Sequence, residues 1–190
     1  MTHWRTPAER SLRLRGFDYR AAETYFVTLV AWHRECLFGR AVGSGIELSS
    51  LGRLVQERWF AIPEHVPGLQ LGSVMVMPNH LHGLLTLPEV DLSAPGIVLR
   101  GFPRHSLAGV IGDFKASVTR VAGMKAGTVW QSRFYDTIVR SQHHLESLEE
   151  YIALNPERWR RDPQNRWSNV PERERDGASV LWTPRGDDEG

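Results

Sequence analysis

Residues 69–88 constrain the fold more than any other stretch. Two apolar runs, "LQLGSVMVMP" (69–78) and "HLHGLLTLP" (80–88), meet at Pro78-Asn79. Each is the length of a strand and rich in residues that favour extended backbone. Pro-Asn between them is turn chemistry, so the pair is expected to form a tight antiparallel hairpin. A hairpin with apolar residues in both arms must bury at least one face, which calls for helices packed on a sheet.

The flanking segments supply them. "TYFVTLVAW" (24–32) is β-branched and aromatic and reads as a first strand. "ELSSLGRLVQERWFAIP" (47–63) reads as a helix, with Ser49 or Ser50 as cap, Leu51, Leu54, Val55 and Trp59 as its apolar stripe, and Pro63 as its end. "SLAGVIGDFKASVTRVAG" (106–123) is the strongest helix. Ser106 caps it, Leu107, Val110, Ile111, Phe114, Val118 and Val121 form the stripe, and Gly123 closes it. "TVWQSRFYDTIVR" (128–140) reads as a fourth strand, and "SQHHLESLEEYIALNPERW" (141–159) as a last helix stopped by Pro156.

The order β-α-β-β-α-β-α predicts an α+β fold: a ferredoxin-like or RRM-like antiparallel sheet (βαββαβ) with an added C-terminal helix. Residues 1–22 read as a basic N-terminal arm, 23–160 as the domain and 161–190 as a C-terminal tail. Residues 88–105 are rich in Pro, Gly and Ser and read as a loop.

Composition narrows the class. The chain has 190 residues, 41% hydrophobic and 24% charged, which is ordinary for one globular domain. No run approaches the roughly 18 apolar residues of a membrane span, and the basic N-terminus lacks the apolar core of a signal peptide. A cytoplasmic protein without membrane contact is expected. One cysteine, Cys36, excludes an internal disulfide and a multi-cysteine zinc site. The net charge of +1 conceals an uneven distribution. Between residues 100 and 140 the acids are Asp113 and Asp136, against Arg100, Arg104, Lys115, Arg120, Lys125, Arg133 and Arg140; the chain ends "GDDEG". A basic middle with an acidic tail suits a polyanionic partner.

His80 and His82 are the candidate metal ligands, with two hydrogen-bonded or exposed strand histidines as the alternative. Residues i and i+2 of a strand share a face, so two imidazoles project together while Leu81 points the other way. Neutral imidazoles at that spacing can share one metal ion. There is no HExxH, no H-x-E with P-C-x-x-C, and no glutamate just after the pair as a cupin would need. In "EYIALNP", Tyr151 and Asn155 are four residues apart and share a helix face beside Leu145, Leu148 and Ile152. Tyr135 is the other candidate nucleophile, but has no Asn or Gln one turn away.

"VMPNHLHGLL", Phe114-Lys115, "VWQSRFYD" and "EYIALNP", in this order, resemble the IS200-like single-tyrosine transposases, and within them the branch associated with repetitive extragenic palindromes (REP). The resemblance runs from about Tyr25 to Pro156. His80-Leu81-His82 fits the HUH pattern of these nucleases, in which U is a bulky apolar residue. The resemblance implies a metal-dependent single-stranded DNA endonuclease and strand transferase acting beside a hairpin. His80, His82 and Asn155 would hold a divalent metal ion (Mg2+ or Mn2+). Tyr151 would be the catalytic nucleophile, forming a 5′-phosphotyrosine link. Arg13, Arg15, Lys115, Arg120, Gln131, Arg133 and Arg140 would contact DNA, and Trp130 would either stack on an unpaired base or pack in the core. The expected partner is single-stranded DNA with a hairpin, bound by a monomer or homodimer. The alternative is a non-catalytic DNA- or RNA-binding module on an RRM-like sheet, which would expose aromatics on its strands and hold no metal.

Overall fold

The computed structural model describes residues 23–88 and 106–159. The expected N-terminal arm, with Arg13 and Arg15, most of the 88–105 loop and the tail after Trp159 lie outside the described residues. Four strands form one antiparallel sheet: β1 (Thr24–Val30), β4 (Gln70–Met77), β5 (His80–Thr86) and β6 (Tyr135–Ile138). Their order is β4-β5-β1-β6, with β5 and β1 in the centre. This is the split β-α-β order that the sequence predicts. Met77 pairs with His80 across a two-residue Pro78-Asn79 turn.

One face of the sheet carries the core. Tyr25, Val27 and Leu29 of β1 and Leu81 and Leu85 of β5 are fully buried there. Two helices cover this face: α1 (Ser50–Phe60) and α3 (Leu107–Val121). Ser49 and Ser106 cap them, each hydroxyl accepting a backbone N–H three residues on, from Gly52 and Gly109. Trp59 of α1 meets Phe114 of α3 edge-on at 5.5 Å, and Phe114 lies 5.7 Å from Trp130. Gly83 is required beneath this layer, since a Cβ there would come within 2.3 Å of the Trp59 ring.

The opposite face carries Phe26, Thr28, His80 and His82. Over it lie α4 (Gln142–Ala153), capped by the Ser141 hydroxyl, and the short α5 (Asn155–Trp159). Ser73 of β4 donates to Glu149 of α4 at 3.3 Å.

Four expectations need correction. A hairpin of β2 (Gly39–Val42) and β3 (Gly45–Leu48), turning at Gly43 with φ 55°, is inserted before α1 and was not predicted. The first helix ends at Phe60, so Pro63 does not stop it; Pro63 lies in the first turn of α2 (Ile62–His65), where no backbone donor is needed. The fourth strand is four residues long rather than thirteen. Lys115 reaches from α3 to the carbonyls of Gln131 (2.8 Å) and Arg133 (3.1 Å), which therefore bond a side chain instead of a sheet neighbour. The last helix breaks at Leu154, two residues before Pro156, because proline cannot donate to the carbonyl four residues back; it starts a new short helix instead. Among the described residues no helix is long and apolar enough to cross a membrane.

Candidate active site

The β1–β5 register sets the floor of the site: Thr28 pairs with His82 and Val30 with His80. The two imidazole centroids are 4.5 Å apart. Phe26 stacks on His82 at 5.2 Å and 22°. Tyr151, near the end of α4, places its ring 5.3 Å from His82 and edge-on to Phe26 at 6.0 Å. Trp159 of α5 lies 5.7 Å from His80. Strand pairing and the descent of α4 onto the sheet thus bring His82 and Tyr151, 69 positions apart in the chain, together.

Hydrogen bonds fix each ring. Asn79 is 1% exposed, and its amide nitrogen donates to the Arg34 carbonyl at 3.2 Å. A carbonyl can only accept, so the amide oxygen is the atom facing His80 Nδ1 at 2.6 Å. That oxygen accepts too, so His80 Nδ1 carries the proton and its lone pair sits on Nε2. The Arg34 carbonyl is presented by a turn whose His33 and Arg34 both have positive φ, at 50° and 58°. His82 Nδ1 is held by the Thr28 hydroxyl at 2.9 Å. Second contacts of this kind orient metal-binding histidines.

Electrostatics point the same way. His82 is 5% exposed, and burial, reinforced by neighbouring His80, pushes its pKa down to about 3. It is neutral across the physiological range, the state in which imidazole offers a lone pair.

The other predicted residues are distributed as follows. Asn155 is buried at the first position of α5, beyond the break in the helix. Arg120, Arg133 and Arg140 are exposed, and Gln131 is half-buried. Lys115 is committed to the carbonyls of Gln131 and Arg133, and burial lowers its pKa to about 8, so its ammonium is a structural staple rather than an open phosphate contact. Trp130 is 5% exposed and packed between Phe38 (4.8 Å) and Phe114, with no face open to a base. Sequence reasoning missed Phe26, Thr28, Asn79, Arg158 and Trp159. Arg158 lies over the Tyr151 ring at 5.2 Å. Strand alternation from the buried Leu29 would have put Phe26 and Thr28 on the histidine face. The others depend on tertiary packing.

No protein-family model matches the chain. An uncharacterized protein of Haemophilus influenzae is 32% identical over 164 residues, 80% of this chain and 91% of that protein. A REP-associated tyrosine transposase of Escherichia coli is 25% identical over 87 residues, 46% of this chain and 44% of that one. In fold, the chain matches a solved REP-associated tyrosine transposase bound to a REP hairpin, with a TM-score of 0.56 and 20% identity. That match covers 100% of this chain and 94% of the other. By fold, and by sequence over about half of its length, the chain is similar to REP-associated tyrosine transposases. The matched fold is the mixed architecture described above, an antiparallel sheet with helices on both faces.

Proposed function

We propose that the chain is a metal-dependent nuclease and strand transferase that cuts single-stranded DNA beside a hairpin. The observation that carries this reading is the contact between Tyr151 and His82, ring centroids 5.3 Å apart, at a histidine pair whose Nδ1 atoms are both held from behind.

The donor set suits a divalent ion. Two oriented imidazoles, one buried and neutral, leave further positions for oxygen ligands, and the Asn155 amide, one turn past Tyr151 in the chain, is the candidate that the family resemblance implies. Among the described residues no group of three His, Cys, Asp or Glu side chains comes together, so the histidine pair would need its remaining ligands from Asn155, water or substrate. When bound, the ion, expected to be Mg2+ or Mn2+, would stabilise negative charge developing on the scissile phosphate.

The chain's residues supply the rest. The Tyr151 hydroxyl attacks phosphorus. A phenolic O–P bond forms, the P–O3′ bond breaks, and the tyrosine proton goes in balance to the departing 3′-oxygen. One phosphodiester replaces another, so the strand can be rejoined by reversal without a nucleotide cofactor. Phe26 limits where the Tyr151 ring can move, and Arg158, over that ring, places positive charge beside the attacking group. The hairpin bound by the matched transposase supports a hairpin-flanked strand as substrate. Arg120, Arg133 and Arg140 are the exposed cations available for phosphate contact.

The test is incubation of the purified chain with a hairpin-flanked single strand and Mn2+ or Mg2+. A covalent protein–DNA species is expected, lost in Tyr151→Phe and on chelation. An adduct that persists in Tyr151→Phe would move the nucleophile elsewhere.

A further inference from the structure

Thr28 is paired twice, with His82 on β5 and with Tyr135 on β6. Directly paired residues of antiparallel strands share a face. His82, Thr28 and Tyr135 therefore make a row across the sheet, and Phe26 and Thr137, also paired, make a second row beside it. Two strand spacings, about 10 Å, separate the ends of the first row. Exposure rises along it: His82 is 5% exposed, Thr28 half-buried and Tyr135 38% exposed. Thr137 is exposed as well.

Charge gives this face a direction. On the α4 side stand Glu146, Glu149 and Glu150, all exposed. At the two ends of β6 stand Arg133 and Arg140, also exposed. A polyanion at the histidine pair is repelled from the α4 side and attracted toward β6. An aromatic ring flanked by cations is the arrangement that holds unpaired nucleotides, because every base has a face to stack and every linkage a phosphate.

We infer that a single strand of DNA leaves the histidine pair across β1 and β6, and that Tyr135 stacks on one of its bases. This rests on the reading of the site as one that takes single-stranded DNA. It gives Tyr135, which has no part in the chemistry, a binding role, and it names the β1–β6 face as the strand's path.

The experiment uses the full chain carrying Tyr151→Phe, so that binding is read without covalent capture. The probe is a hairpin with a single-stranded flank containing 2-aminopurine at successive positions. Quenching is expected at one position or two neighbouring ones. Tyr135→Ala should remove it and weaken binding of the flanked hairpin about tenfold, within the range of one base–aromatic stack. Tyr135→Phe should keep both, and the bare hairpin should bind all three proteins alike. Unchanged quenching and affinity in Tyr135→Ala, or equal losses in Tyr135→Phe, would overturn the inference. If the chain with Tyr151 intact forms no adduct while Tyr135→Ala still loses the quenched base, the nuclease reading fails and the stacking surface stands.

Discussion

Leu81 and His82 are neighbours on β5, and the two faces they serve are built on different physics. Leu81 and Gly83 face α1 and α3, where contact is apolar and shape decides. His80 and His82 face α4 and α5, where each imidazole is held by a hydrogen bond as well as by ring contacts. A single strand thus divides stability and chemistry between odd and even positions. A change on one face should leave a different signature from a change on the other.

Leu81→Ala should give the largest stability loss, about 2–5 kcal/mol in chemical denaturation, since it empties a fully buried site. A loss below 1 kcal/mol would mean that this face is not the main core. Acid should act through the other face. His82 has its pKa lowered in the folded chain to about 3 against an ordinary 6.5, so the unfolded chain binds more protons between those values. In metal-free protein the stability contributed by neutral His82 is complete above pH 6.5 and lost as pH falls toward 3. His82→Gln should flatten that slope while leaving the rest of the acid transition in place. An unchanged slope would place the sensitivity elsewhere.

Asn79→Ala should act on the histidine face with a smaller effect. Nitrogen-15 NMR should show the metal-free His80 ring losing its fixed Nδ1–H form, and calorimetry should show Mn2+ affinity falling about 10- to 100-fold. Asn79→Asp keeps an acceptor for His80 but loses the donor to Arg34, so it should retain the tautomer and lose the restraint on the turn. A fixed tautomer in Asn79→Ala would contradict the hydrogen-bond assignment.

Much of this division was legible in the sequence. Alternation in "HLHGLL" put His80 and His82 on one face and Leu81 on the other, and the helical stripe of residues 107–118 set the covering helix. The β2–β3 hairpin was not, because its strands have only four residues each, too few for a periodic pattern to stand out. The short fourth strand was hidden because its sequence is strand-like to Arg140; its pairing with β1 is interrupted where an ammonium from another element, 16 residues away from Gln131, takes the carbonyls, and resumes only as a bridge at Trp130. Asn79 was read as turn chemistry alone. Its second role depends on the Arg34 carbonyl, 45 residues distant, and on a backbone turn that no local pattern announces.

The most direct measurement is to locate the covalent link. Trypsin should release residues 141–158 as one peptide, and Tyr151 is its only tyrosine. After reaction with the hairpin-flanked strand and Mn2+, followed by nuclease trimming, mass spectrometry should find this peptide carrying a 5′-phosphonucleotide on Tyr151. The modification should be absent in His82→Ala. A nucleotide on the peptide that contains Tyr135, or on no tyrosine, would contradict the account.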